Sequence, residues 1–415
     1  MYRLVALCVL VLTATATDAA SAEQLRPAPG TPDPKRMALV AADLGGARVT
    51  AQHYYKDRDF SSTISYSREF EDGRVGSTAL VYVDSEVEMG TSAQVSATYV
   101  STLRSVLGTK KGRAAFVNAF SSDELVSKPT LGRPRRLGVG SDSVDVPLTF
   151  RILGVKTEAH FAVFAVDQAL GTVILIGVPG RHAPLAVVTR LARIVTTRMT
   201  AELTPRNIVL PSLSGTPQAG STLAATPGTW SGTVTAFTYQ WQRCDGAGGN
   251  CVDLPSSCVP DGSFCTTPAL VTGPTYVATW LDASWAGTIR VAVTAHGTSR
   301  AVRVYSLPSA PVAAAPREHW PTNILPPAIS GTLHADQTLT ATAGTWTAGA
   351  SSFVYIWQRC DTTSQPSCRP VGVDGRAPTY VLASADLGSA LTVCVIAYNA
   401  AGAGGACSAR TAEIS

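Results

Sequence analysis

The stretch YQWQRCDGAGGNC, Tyr239 to Cys251, returns almost intact as YIWQRCDTTSQPSC, Tyr355 to Cys368. A cysteine followed closely by another, twice over, has the residue types of a metal site, a redox centre, a disulfide clip or a binding loop. Eight cysteines follow residue 23, namely Cys244, Cys251, Cys258, Cys265, Cys360, Cys368, Cys394 and Cys407, and residues 23–243 hold none. Cys244 to Cys265 could be drawn as a four-thiolate zinc site. The second copy repeats only the first pair, and the leader at the start of the chain points to an oxidising compartment, so disulfides are expected and no metal or other cofactor.

Strand parity sorts the motif further. Side chains alternate between the two faces of a strand, so Tyr239 and Trp241 share one face and the glutamines take the other. The same holds for Tyr355 and Trp357. The four aromatics are expected in a core. Cys244 and Cys360 are expected on the glutamine side, each clipped to the cysteine across the next loop, Cys251 and Cys368. In LTVCVIAYNAAGAGGAC, Leu391, Val393 and Val395 form an inward stripe, and Cys394 points outward toward Cys407, a hairpin away. Cys258 and Cys265 would close a loop that the second copy lacks.

Other chemistry-bearing groups are scattered. Asp84, Glu86 and Glu88 alternate on one face of a strand, as paired carboxylates for glycoside hydrolysis or Ca²⁺ would, and as an ordinary solvated strand face also would. His53 and His160 fall in strands, where a triad would need a serine and a carboxylate brought close. Two basic loops, KKGR with Lys110, Lys111 and Arg113, and GRPRR with Arg133, Arg135 and Arg136, could form an anion-binding edge or be exposed turns. Trp280 and Trp285 have no aromatic counterpart in the second copy and could stack on a sugar or anchor a partner. No nucleophile elbow, zincin helix, phosphate loop or dinucleotide fingerprint is present.

The elements that must position these groups fall into three blocks. Residues 36–203 alternate strand-like runs with helical periodicity: Val95, Tyr99, Leu103 and Val106 are spaced for one helical face, and Leu185, Val188, Leu191, Ala192 and Val195 for another. Strands and helices do not strictly alternate, so an α+β domain is expected, an antiparallel sheet with helices on one face. Residues 204–313 and 322–415 are copies joined by the linker 314–321. Trp230 and Trp346, Trp241 and Trp357, and Cys244 and Cys360 keep one offset of 116 residues. Short alternating runs rich in Thr, Val, Gly and Pro predict an all-β sandwich for each copy.

The chain opens with Arg3, the apolar run Leu4–Leu12 and the cleavage pattern Ala20-Ser21-Ala22, which read as a signal peptide over 1–22, followed by a Pro-rich linker over 23–35. No later segment is long and apolar enough to span a bilayer. Residues 35–200 carry 21 Lys and Arg against 15 Asp and Glu, and residues 201–415 carry 10 against 11. That balance is too mild for a nucleic-acid footprint. A secreted protein is expected, in solution or at the cell surface.

The segments ISGT, TLTAT-x-GTW, Y-x-WQRCD, ADLG and LTVCVIAYNAAG resemble the tandem immunoglobulin-like or fibronectin-III-like modules of secreted proteins from high-GC Gram-positive bacteria. The early strand QTLTATAGTW departs from a true immunoglobulin domain by lacking the cysteine of its inter-sheet bridge. In the first block, LGVGSDSVDVPLTFRILG followed by LIGVPG resembles the sensor-like domains of actinobacterial exported lipoproteins and receptor-kinase ectodomains. These resemblances imply spacing, adhesion or carbohydrate contact for the sandwiches, and ligand capture in a cleft for the first block. The expectation is a non-enzymatic binding or adhesion protein whose partner is a cell-wall polymer, glycan or surface protein. The alternative is an extracellular hydrolase with its active site in the first block. The sequence leaves the oligomeric state open.

Overall fold

The computed structural model describes residues 25–56, 64–118, 126–254, 272–284, 286–362, 367–371 and 377–415. The signal peptide, Cys258, Cys265 and Trp285 lie outside the described residues. The chain divides into two compact units. One runs through Ile208 and includes Trp230–Ala236 and Ala295–Val302; the other is Val209–Thr229, Phe237–Thr294 and Arg303–Ser415.

In the first unit seven strands form one antiparallel sheet: β1 (Arg48–Tyr55), β2 (Ile64–Val75), β3 (Thr78–Met89), β4 (Thr130–Leu131), β5 (Asp142–Ile152), β6 (Val155–Val166) and β7 (Ala169–Gly177). Their order across the sheet is β1-β2-β3-β7-β6-β5-β4. β5 and β6 meet at Leu153 and Gly154, both at positive φ, as the two-residue turn that matches strand twist requires.

Helices α1 (Ala93–Gly108), α2 (Lys110–Asn118) and the long α3 (Leu185–Leu203) pack on the sheet, and the short helical turns Pro34–Met37 and Ala41–Leu44 add Met37 and Leu44 to the core. They lie on both faces of the sheet, where the sequence predicts one. Along β6 the even residues Ala162, Phe164 and Val166 pack with Val188, Leu191, Val195 and Met199 of α3. The odd residues Val163 and Ala165 pack with Val100 and Leu107 of α1. Both sides of the strand are apolar, which is the pattern of a sheet covered twice. The expected α3 stripe is met by Val188, Leu191, Ala192 and Val195. On α1 the buried residues are Ser96, Val100 and Leu107, while Val95, Tyr99 and Val106 are exposed. Two apolar stripes compete on this helix, and the one that includes Ser96 is the one pressed on the sheet.

The second half contains two immunoglobulin-like sandwiches with the same strand order. In the first copy β12 (Ala236–Cys244), β13 (Val252–Asp253), β15 (Thr288–His296) and β16 (Ala301–Tyr305) form a four-stranded sheet, β13-β12-β15-β16. In the second copy β21 (Ser352–Cys360), β22 (Cys368–Pro370), β24 (Ala390–Tyr398) and β25 (Ala403–Cys407) repeat it as β22-β21-β24-β25. Opposite them lie three-stranded sheets centred on β10 (Thr222–Thr226) and β19 (Thr338–Ala341). Leu339 and Ala341 of β19 face Trp357 and the stripe Leu391, Val393 and Val395 across the second core. No helix among the described residues is long and apolar enough to cross a membrane.

Candidate functional site

The tryptophan, arginine, cysteine and aspartate of the repeated WQRCD motif have the same roles in both copies. Trp241 and Trp357 are fully buried. Their indole N–H groups donate to the carbonyls of Gly273 (2.9 Å) and Ala377 (3.0 Å), so the one polar atom of each ring is satisfied inside the core. Tyr239 and Tyr355 are half-buried, and Tyr355 packs against the second core. Cys244 is joined to Cys251, Cys360 to Cys368 and Cys394 to Cys407. In the last two bridges the cysteines are direct cross-strand partners. The closing aspartate ties down the loop: Asp245 accepts from the Ala247 and Gly249 amides and from Asn250, and the hydrogen bond from the Gly249 amide leads the causes that hold its carboxyl below the usual range. Asp361 likewise accepts from the amide and hydroxyl of Ser367.

Two details correct the parity reading. The glutamine face of β12 is covered: Gln240 and Gln242 are buried, as are Cys244 and Cys360. Gln240 donates to the carbonyls of Trp241 and Leu254, while Gln242 donates to Asp253 (2.7 Å) and accepts from Arg290 (2.7 Å). Long neighbours on β13 and β15 close over this face, and alternation alone cannot reveal them. The arginine of the motif matters as much as its tryptophan. Arg243 pairs with Asp282 at 2.5 Å, and Arg359 with Asp386 at 2.7 Å, and both carboxylates are fully buried. Tyr276 and Tyr380 donate their hydroxyls to the same two carboxylates. The sequence did carry a signal for this, because tyrosine and aspartate stand six residues apart in both copies.

In the first unit the carboxylates gather on one half-face of the sheet. Register sets Glu69 opposite Asp84, Ser67 opposite Glu86 and Ser65 opposite Glu88, and on β1 His53 opposite Ser67 and Tyr55 opposite Ser65. Opposite residues share a face, so these side chains form one patch. Asp84 is not solvated: it is 1% exposed, and burial, reinforced by the charge of Glu69, pushes its carboxyl up to about 7. Its contact is the Ser67 hydroxyl at 3.1 Å. Burial likewise pushes Glu86 up to about 7, and the Tyr55 hydroxyl donates to it. Carboxyls titrating there can give or take a proton at neutral pH. Among the described residues no three acidic, histidine or cysteine side chains converge as a metal site.

The other sequence candidates are largely engaged in the scaffold. His160 is buried with Nδ1 2.9 Å from the Asp145 carboxylate and Nε2 3.0 Å from the Ala183 carbonyl, so neither ring nitrogen is open to a substrate. His53 is exposed on β1. Arg113 donates to the carbonyls of Leu107 and Gly108 at the end of α1, a helix C-terminal cap. Arg135 pairs with the buried Asp145 at 3.0 Å, and Arg136 lies 3.9 Å from Asp142, which Arg104 already grips with two hydrogen bonds. Lys110, Lys111 and Arg133 remain as exposed cations. Trp280 stacks on Tyr398 at 6.2 Å and donates its backbone N–H to the Ala400 carbonyl, so it joins the two sandwiches.

No protein-family model matches the chain, and no curated protein matches it significantly. Among solved structures the chain is similar to the extracellular domain of PknH from Mycobacterium tuberculosis, at 10% identity over 44% of this chain and 97% of that one, with a TM-score of 0.28. It is also similar to the FN1–FN3 domains of chicken CNTN1, at 14% identity over 48% of this chain and 65% of that one, with a TM-score of 0.18. A third likeness is a segment of two fibronectin type-III domains from chicken tenascin, at 17% identity over 48% of this chain and 94% of that one, with a TM-score of 0.14. The fold class rests on the molecule's own sheets: an α+β N-terminal part followed by two immunoglobulin-like sandwiches.

Proposed function

We propose that this chain is an extracellular, non-enzymatic binding or adhesion protein whose α+β domain takes a ligand or partner and whose two clipped sandwiches present it. The observation that carries this reading is the engagement of the repeated motif. Its tryptophan, arginine, cysteine and aspartate are all used to build and fasten a sandwich, in both copies, which supports reading that half as a scaffold and seeking specificity in the first domain and where the copies differ. The three disulfides among the described residues support export, since such bonds persist in oxidising compartments. The partners proposed are a cell-wall polymer, a glycan or a surface protein.

One observation favours the hydrolase reading instead. Asp84 and Glu86 share a strand face with both carboxyls near 7, where a general acid works best. A single experiment separates the two. The mature chain is immobilised and exposed to purified cell-wall polymer, free glycans and a surface-protein extract, with retained and released material both analysed. Binding predicts that one class is retained intact, and equally well by the double variant Asp84→Asn, Glu86→Gln. Hydrolysis predicts shortened products that the double variant abolishes. Retention of none of the three classes removes the binding reading.

A further inference from the structure

The junction of the two sandwiches encloses a cleft of about 460 Å³, within the size range of small-ligand sites. All its lining residues belong to the second unit. The turn Gln218–Ser221 of the first copy forms one wall; His319 of the linker, with Ala348, Gly349, Ser351 and Asn399–Ala401 of the second copy, forms the rest.

The walls are fixed. The Asn399 amide fills all its hydrogen-bonding capacity: its oxygen accepts from the Ala401 and Gly402 amides at 2.9 Å, and its nitrogen donates to the carbonyls of His319 (2.8 Å) and Ala348 (2.7 Å). It therefore ties the linker at His319 and the turn at Ala348 to its own loop around the cleft. Trp280, stacked on Tyr398, and the packing of Ala219, Ala315 and Ala401 hold the first copy against them. Both anchors sit where the copies differ, since Ser384 and Gly297 occupy the corresponding positions. A preformed cleft spares a ligand the cost of ordering its site.

The lining is polar but uncharged: it contains no Asp, Glu, Lys or Arg and no large apolar side chain. Hydrogen-bonding capacity is left over there. Among the described residues the Ser221 hydroxyl and the His319 ring make no hydrogen bond, and the Gln218 side chain donates its amide nitrogen to the Ala314 carbonyl. A charged ligand would find no counter-charge here, and a peptide would find no apolar pocket for its side chains. A ligand carrying many neutral hydroxyls suits these groups. From this geometry we infer that the cleft is a binding site for an uncharged saccharide. The lining residues all lie outside the α+β domain; the inference rests on the glycan-binding reading proposed above and adds a second site and a ligand class to it.

The test uses the full mature chain and saturation-transfer NMR with four neutral oligosaccharides, maltotriose, cellotriose, mannotriose and N,N′-diacetylchitobiose. A sulfated heparin tetrasaccharide and an uncharged Ala-Ser peptide serve as contrasts. The expected result is transfer to at least one neutral saccharide and to neither contrast. Ser221→Phe, which fills the cleft from a half-exposed position, should weaken that binding by at least about tenfold. His319→Ala should weaken it by about three- to tenfold, the loss of one hydrogen bond. Both variants should keep the wild-type melting temperature, and capture by the α+β domain should be unaffected in either. The proposal is overturned if no neutral saccharide binds, if the sulfated sugar or the peptide binds in its place, or if neither variant changes the affinity.

Discussion

Replacing Arg243 by alanine lowers the stability of the first sandwich by about 2–4 kcal/mol. The physical ground is the carboxylate left behind. Asp282 is fully buried and faces Arg243 at 2.5 Å, and removing one member of a buried pair strands the other charge away from water. The loss falls below the usual upper range because Asp282 keeps donors in the Tyr276 hydroxyl (2.7 Å) and the Thr279 amide and hydroxyl (2.7 and 2.9 Å). The second copy supplies an internal comparison. Arg359 is 34% exposed against 21% for Arg243, so solvent screens its pair more and Arg359→Ala should cost less. Urea unfolding of both variants, followed by tryptophan fluorescence, measures this. A loss of about 0.5 kcal/mol or less for Arg243→Ala is the behaviour of a surface ion pair and would remove the arginine from the structural reading of the motif.

Asp84→Asn should stabilise the protein above neutral pH and leave it nearly unchanged in mild acid. The carboxyl of Asp84 sits at about 7 in the folded state and near its ordinary 3.8 when unfolded. Between those values the unfolded chain releases a proton that the folded chain retains, so stability falls as pH rises through this window and the full cost is present above about 7. Each pH unit of that window is worth about 1.4 kcal/mol, so the gain on replacement is on the order of 2–4 kcal/mol at pH 8 and close to zero at pH 4. Glu86, also near 7, keeps part of the dependence in the single variant; adding Glu86→Gln should flatten the profile further. Denaturant midpoints at pH 4.5, 6, 7 and 8 test the prediction. A wild-type stability that rises from pH 4.5 to 8, or a variant profile parallel to the wild type, would contradict a buried protonated Asp84.

These two cases also mark how far the residues could be read alone. Duplication, sandwich cores on Trp241 and Trp357, and clips between nearby cysteines follow from spacing and parity, because strand geometry is local. The face of α1 does not follow: Val95, Tyr99 and Val106 make an apolar stripe as plausible as the one that includes Val100 and Leu107, and only the curvature and position of the sheet select between them. Glu69 drew no notice in the sequence because its neighbour Asp84 arrives from another strand. Arg243 has no partner within its own strand, because Asp282 reaches it from another element.

What the sequence by itself determined is therefore the class of each block, the repeat and the local crosslinks, all of which depend on residues within one or two elements. The tertiary structure alone decided which polar groups are buried and with what partners. Asp84 near neutrality, Arg243 on Asp282, the closed ring of His160 and the uncharged cleft pinned by Asn399 each require groups that are distant in the chain. Burial is a property of everything packed around an atom, and spacing along one strand or helix cannot report it.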